Sequence, residues 1–230
     1  MELMMPSDRF LQLQSQLGAL RAHLLPAKLE ETGVYEDEER VATAALGYRV
    51  LAHAEVESYI EDRVLEAVNK ARVAWENNRH VSRVSLCLVA FCGKEMALPP
   101  PSLEAPTENK KKVWPALVDI GERLTPVISA FNHRVRNENH GVKEKNLMSL
   151  LLPIGIDHSK LDPIFLAEIE TFGSLRGFAA HSSSRTSVRQ AVDPAEELKR
   201  VDALLPGIEA IDTLIEQLVA EIPASQSSQS

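Results

Sequence analysis

From Glu36 to Asn78 the chain contains no proline and a single glycine, Gly47. Over that stretch Val41, Ala45, Leu46, Tyr48, Leu51, Ala52, Val56, Tyr59, Ile60, Val64, Leu65, Val68 and Trp75 recur mostly at intervals of three and four. That is the period of an α-helix with one apolar side. The acidic run Glu36-Asp37-Glu38-Glu39 suits the positive end of a helix dipole. The pattern predicts one helix of about 40 residues, roughly 60 Å long at 1.5 Å per residue. Gly47 is the point where a bend or break would fall. An element of that length limits the alternatives, because the rest of the chain must be arranged around it.

The other segments are helical in period as well. Ser7 or Asp8 can cap a first helix to about Leu25, with Phe10, Leu13, Leu17 and Leu20 along one side. Pro26 ends it. Val81 to Phe91 is rich in β-branched residues but has no second strand to pair with, so it is assigned to helix. Ala97 to Asn109, with Pro99-Pro100-Pro101 and Pro106, reads as a loop. A helix follows from near Trp114-Pro115 to about Arg136, with a kink at Pro126. Asn137 to Gly141 reads as a turn and Lys143 to Leu152 as a short amphipathic helix. Asp162-Pro163 is a capping signal for a helix to about Ala180. The last helix runs from Glu196 to Ala220, interrupted at Pro206-Gly207. Together these predict one all-α bundle over residues 1–222, with no internal repeat. The Ser- and Gln-rich tail 223–230 is expected to be disordered.

The 230 residues carry a net charge of −8, which argues against broad coating of nucleic acid. A local basic site remains open. Arg134, Arg136, Lys143 and Lys145 cluster in one segment, with His133 and His140. Arg176, Arg185 and Arg189 fall in another that has no acidic residue from 176 to 190. If the two segments meet, a positive pocket forms on a negative protein. Otherwise these are ordinary solvated charges. There is no run of 18 apolar residues and no basic stretch leading an apolar one at the N-terminus, so neither a membrane span nor a secretory signal is expected. Cys87 and Cys92 read as reduced thiols of a cytoplasmic protein rather than as a disulfide or a zinc site.

Two groups of residues carry candidate chemistry. Arg176 continues the face set by Phe165, Ile169 and Phe172, so it sits at one end of a core-facing stripe. A guanidinium there needs an acidic partner, a cleft or an interface. His181 follows five residues later, about 140° around a regular helix. An arginine that grips phosphate beside a histidine that titrates near neutrality suits phosphodiester chemistry. The alternative is a structural ion pair and a helix-end cation. On the long helix, Glu57 and Glu61 share a face, with His53 one turn before Glu57. They read as a polar face with one glutamate paired to an arginine, or as half of a metal site that no second helix completes. No phosphate-binding glycine loop or metalloprotease motif occurs.

Arg176-Gly-Phe-Ala-Ala-His181 resembles the Arg-x4–6-His motif of HEPN domains. The wider run is similar to the RiboL-PSP branch of that superfamily: Asn139 to Leu147, Leu150 to Ile156, Leu161-Asp162, Phe172 to Ser182 and Asp193-Pro194, with Ala54 to Glu61 matching the preceding acidic helix. The resemblance implies a helical bundle that forms a homodimer, with paired Arg and His lining the cleft between protomers. It also implies a metal-independent endoribonuclease of toxin or antiviral-defence type, without cofactor. An antitoxin or nucleotidyltransferase is the partner it suggests. His181 would act as general acid or base, and Arg176 would stabilise the phosphorane-like transition state. Glu57 and Ser182 would support the pair. RNA would lie on Arg134, Arg136, Lys143, Lys145, Arg185 and Arg189. Many active members carry a polar residue directly after the arginine, where this chain has Gly177. The alternative is a non-catalytic HEPN-like module that binds RNA, a nucleotide or a protein, or a helical scaffold without a ligand.

Overall fold

The computed structural model describes residues 5–30, 32–92, 119–181 and 192–223, with side chains described for all but 177–181. Within these residues there are seven α-helices and no strand. They are α1 (Asp8–Leu24), α2 (Glu38–Asn78), α3 (Arg83–Ala90), α4 (Ile120–His133), α5 (Glu144–Leu151), α6 (Pro163–His181) and α7 (Pro194–Ala220). The all-α expectation holds. The loop expected at Ala97 to Asn109 and the helix start near Trp114-Pro115 lie outside the described residues, as do 224–230.

The long helix runs unbroken for 41 residues, straight through Gly47. Its start is capped by Asp37, whose carboxylate accepts from the Arg40 N–H. Its end comes at Arg79, which takes a left-handed φ of 54° and donates its N–H to the Trp75 carbonyl. The Arg79 guanidinium lies 5.2 Å from the Trp75 ring centre. Helices α1, α6 and α7 pack along α2, burying Phe10, Leu13, Val56, Ile60, Val64, Phe165, Ile169, Val201, Ile208 and Ile215 in one core.

Two sequence expectations need correcting. Pro206-Gly207 does not interrupt the last helix, which is continuous from Pro194 to Ala220. Gly207 has a packing reason instead. A Cβ there would lie 2.1 Å from the Phe165 ring, so the missing side chain lets α6 seat against the α7 backbone. The end of α4 also differs from expectation, since the α-helix stops at His133 rather than near Arg136. Arg134–Glu138 form one π-helical turn, closed by the Asn139 N–H donating to the Arg134 carbonyl at 3.0 Å. This wider turn buries Val135 and leaves Arg134 and Arg136 exposed.

Candidate functional site

The π-turn delivers Asn139 to the middle of α2. The Asn139 side-chain amide donates to Glu61 Oε1 at 2.7 Å and to the Gly141 carbonyl at 3.2 Å. Its own oxygen accepts from the Asn146 amide at 3.0 Å. Gly141 has a φ of 143°, a backbone conformation that side-chain-bearing residues rarely adopt, and it turns the chain toward α5. Helix α6 closes the other side. A Cβ on Gly173 would lie 2.8 Å from Lys143 Cγ and 3.2 Å from the Lys143 backbone nitrogen, so glycine permits this contact. Glu170, one turn earlier, accepts from the Glu144 N–H at 3.1 Å and stands 3.8 Å from Lys143 Nζ.

Three segments distant in sequence thus share one place: 53–61 on α2, 139–146 around the turn, and 170–176 on α6. His53 lies between them and is 1% exposed. Its ring stacks on Phe172 with centres 5.5 Å apart. Its Nδ1 is 3.4 Å from Glu57 Oε2, yet neither ring nitrogen makes a hydrogen bond among the described residues. The contact with Glu57 is therefore a close approach rather than a formed hydrogen bond.

The two glutamates respond to this setting in opposite ways. Burial pushes the Glu57 carboxyl up, but His53, the Arg176 guanidinium and the Gly141 amide outweigh it, and the group ends below its ordinary range. Glu61 is also raised by burial, and the Glu57 and Asp62 charges add to that. Asn139 and His140 oppose the rise without reversing it. Two carboxyls one turn apart are thus driven apart in acidity, one held ionised and the other eased toward its neutral form. Among the described residues, no group of three or more His, Cys, Asp and Glu side chains is arranged to hold a metal ion.

Of the residues expected from sequence, Arg176 is half-buried on α6 with its charge acting on Glu57. Glu57 is half-buried on α2. Arg134, Arg136 and Lys145 are exposed, and Lys143 is half-buried against Gly173. The first basic segment therefore touches α6 at Lys143. The helix extends through position 181, so the 176 and 181 backbone positions stay about 140° apart around it. The His181 side chain, Ser182, Arg185 and Arg189 lie outside the described residues. Sequence reasoning did not find Asn139 and Asn146 as the bridge, because seven positions separate them and the preceding π-turn that delivers Asn139 to α2 has no local signal. It noted His53 only as a candidate ligand, whereas the structure gives it a carboxylate and an aromatic ring as neighbours.

A second polar cluster lies further along α2. Arg63, 1% exposed, donates to Asp212 at 2.9 Å, Glu66 at 2.6 Å and Glu216 at 2.5 Å. Asp212 also accepts from the Tyr59 hydroxyl at 2.7 Å and from the Ser7 N–H and hydroxyl at 2.9 and 2.7 Å. Burial disfavours the Arg63 charge, but Glu216, Asp212 and Glu66 hold it above even its ordinary range. This network ties α1, α2 and α7 together.

No protein-family model, curated protein or solved structure matches the chain. No helix among the described residues is long and apolar enough to cross a membrane.

Proposed function

We propose that the chain is a metal-independent endoribonuclease of the HEPN type that acts as a homodimer, with Arg176 and His181 as its reactive pair. The observation that carries this reading is the meeting of the acidic-helix, Asn139-to-Leu147 and Phe172-to-Arg176 segments around Glu57 and Arg176. Those are the segments on which the resemblance rests. Sequence likeness alone gives no reason for them to touch. The charge pattern agrees: Arg134, Arg136 and Lys145 are exposed near the turn that feeds the cluster.

The chemistry would run as follows. His181 takes the proton from a ribose 2′-hydroxyl. The 2′-oxygen forms a bond to phosphorus while the bond from phosphorus to the 5′-oxygen breaks. The leaving 5′-oxygen takes a proton from the second histidine of the dimer. Products are a 2′,3′-cyclic phosphate and a 5′-hydroxyl, and no water is consumed. Arg176 meets the extra negative charge of the five-coordinate phosphorus by paired N–H donors. Two motifs related by a two-fold axis supply both the acid and the base, which a 140° separation within one helix does not.

The test is incubation of the purified protein with single-stranded RNA in EDTA, followed by end-group analysis. Cleavage with 2′,3′-cyclic phosphate ends is expected, together with a loss of about a hundredfold or more in His181→Ala. A folded dimer that leaves RNA intact contradicts the reading. Salt-dependent RNA binding without product would instead favour the non-catalytic module, in keeping with Gly177 after the motif arginine.

A further inference from the structure

We propose that His53 is a positioning residue for Arg176: its Nδ1, standing beside one edge of the Glu57 carboxylate, biases that group away from the guanidinium, which keeps a face free for a phosphodiester. The nature of that anion rests on the ribonuclease reading. The coupling between the three side chains does not.

The geometry is unusual for a core histidine. A buried polar group without a hydrogen bond costs free energy that an apolar side chain of the same shape would avoid. His53 keeps two such nitrogens inside the bundle, on the same ring face that phenylalanine would fill against Phe172. Packing alone therefore favours phenylalanine here. What phenylalanine lacks is the nitrogen that looks at Glu57 Oε2 from 3.4 Å. Glu57 in turn is within electrostatic reach of Arg176, and Phe172 is one turn before Arg176 on α6. His53 thus touches both the acid on which the Arg176 charge acts and the helix that carries the arginine. The other charged groups around the cluster are Glu61 on α2, His140 and Lys143 on the connecting turn, and Glu170 on α6.

An ionised carboxylate beside the phosphate-binding arginine has two effects. It orients the guanidinium, and it competes with phosphate for the same donors. Drawing the Glu57 carboxylate toward imidazole keeps the first effect and weakens the second. Without His53, Glu57 would close on Arg176.

His53→Phe separates positioning from packing, because it keeps the ring and removes the nitrogen. The readout is affinity for a short single-stranded oligoribonucleotide with 2′-O-methyl groups throughout, which cannot cyclise. The expected result is a folded protein, at least as stable as wild type, that binds this probe about three- to tenfold more weakly. Adding Glu57→Gln to His53→Phe is expected to restore binding, since the carboxylate that closes on Arg176 is gone. Glu57→Gln alone is expected to tighten binding while slowing cleavage of ordinary RNA. His53→Asn keeps a donor near the Nδ1 position and is expected to bind more nearly as wild type does. If His53→Phe binds the probe as wild type does, or if Glu57→Gln fails to restore the loss, the inference is overturned. If wild type binds no probe, the ribonuclease reading fails, and the coupling is then read from water exchange of the Arg176 Nε–H by arginine-labelled NMR. Slower exchange in His53→Phe, reversed by Glu57→Gln, upholds His53 as the positioning residue; unchanged exchange overturns it.

Discussion

Two polar clusters share helix α2, ten residues or about 15 Å apart along its axis. Around Arg63, each guanidinium nitrogen donates to a carboxylate, and Asp212 collects four hydrogen bonds from Ser7, Tyr59 and Arg63. Around His53, a buried ring has no hydrogen bond among the described residues, two glutamates are pushed in opposite directions, and the arginine is half-exposed. Both clusters cost desolvation. The first recovers it entirely within the fold, tying three helices together. The second leaves charge and hydrogen-bonding capacity unspent, which is what a site that must receive an anion requires. Both contain a buried or half-buried arginine on the same bundle, so burial does not distinguish structure from function here. On the function proposed above, it is the completeness of the partners that separates the two.

The sharpest way to break this contrast is at Asp212. Asp212→Ala removes at once one of the three carboxylates on Arg63 and the acceptor of the Tyr59 hydroxyl and of the Ser7 N–H and hydroxyl. A loss of about 3–5 kcal/mol is expected in denaturant unfolding, with cleavage per folded molecule unchanged. A loss below about 1 kcal/mol would mean that the network is not the structural half of the pair.

Gly207→Ala comes next. Its Cβ would overlap the Phe165 ring, and overpacking of this kind costs roughly 1–3 kcal/mol or more. Gly173→Ala is its counterpart at the other cluster. Lys143 Cγ can swing aside, but the Lys143 backbone nitrogen at 3.2 Å cannot. Thermal unfolding is expected to show a smaller cost, about 1 kcal/mol, and RNA cleavage to fall more than stability does. Equal effects of the two glycine variants on cleavage per folded molecule would erase the distinction between the clusters.

The smallest effect is in pH dependence. Glu57 has a folded-state pKa below its ordinary value near 4.5. Its ionisation therefore adds stability that is present above that value and is lost as pH falls through the lower, folded one. Glu57→Gln should thus cost most at neutral pH, with the difference from wild type shrinking at pH about 4 and below. Glu61 has a raised folded pKa, so the sign reverses. Its contribution is full below the ordinary value and is lost as pH rises through the folded one. Glu61→Gln should be neutral or stabilising at pH 7 and converge on wild type in acid. Unfolding curves at pH 7 and pH 4 that show the same sign for both variants would contradict the opposed environments.

Much of the bundle was readable because it rests on local periodicity. The 41-residue helix follows from uninterrupted apolar spacing, and Asp37 and Asp162 mark helix starts by short-range hydrogen bonds. Pro206-Gly207 misled for an instructive reason. As a dipeptide it signals a break, yet the glycine answers a tertiary demand set by Phe165, about 40 residues away. The site was partly legible. Arg176 stood out because it ends an apolar stripe, and Glu57 because it shares a face with His53 and Glu61. Nothing local announces that Asn139 reaches Glu61 or that Lys143 needs a glycine opposite, since both depend on a π-turn and on the docking of α6. Arg63 passed unnoticed for the same reason, as its partner Asp212 lies 149 residues away.

The most direct test of the account is the rate of RNA cleavage in EDTA by Arg176→Ala, measured beside its unfolding midpoint. The prediction is a rate at least about a hundredfold below wild type, with stability changed by less than about 1 kcal/mol. A variant that unfolds as readily as Asp212→Ala, or one that cleaves RNA as wild type does, would contradict it.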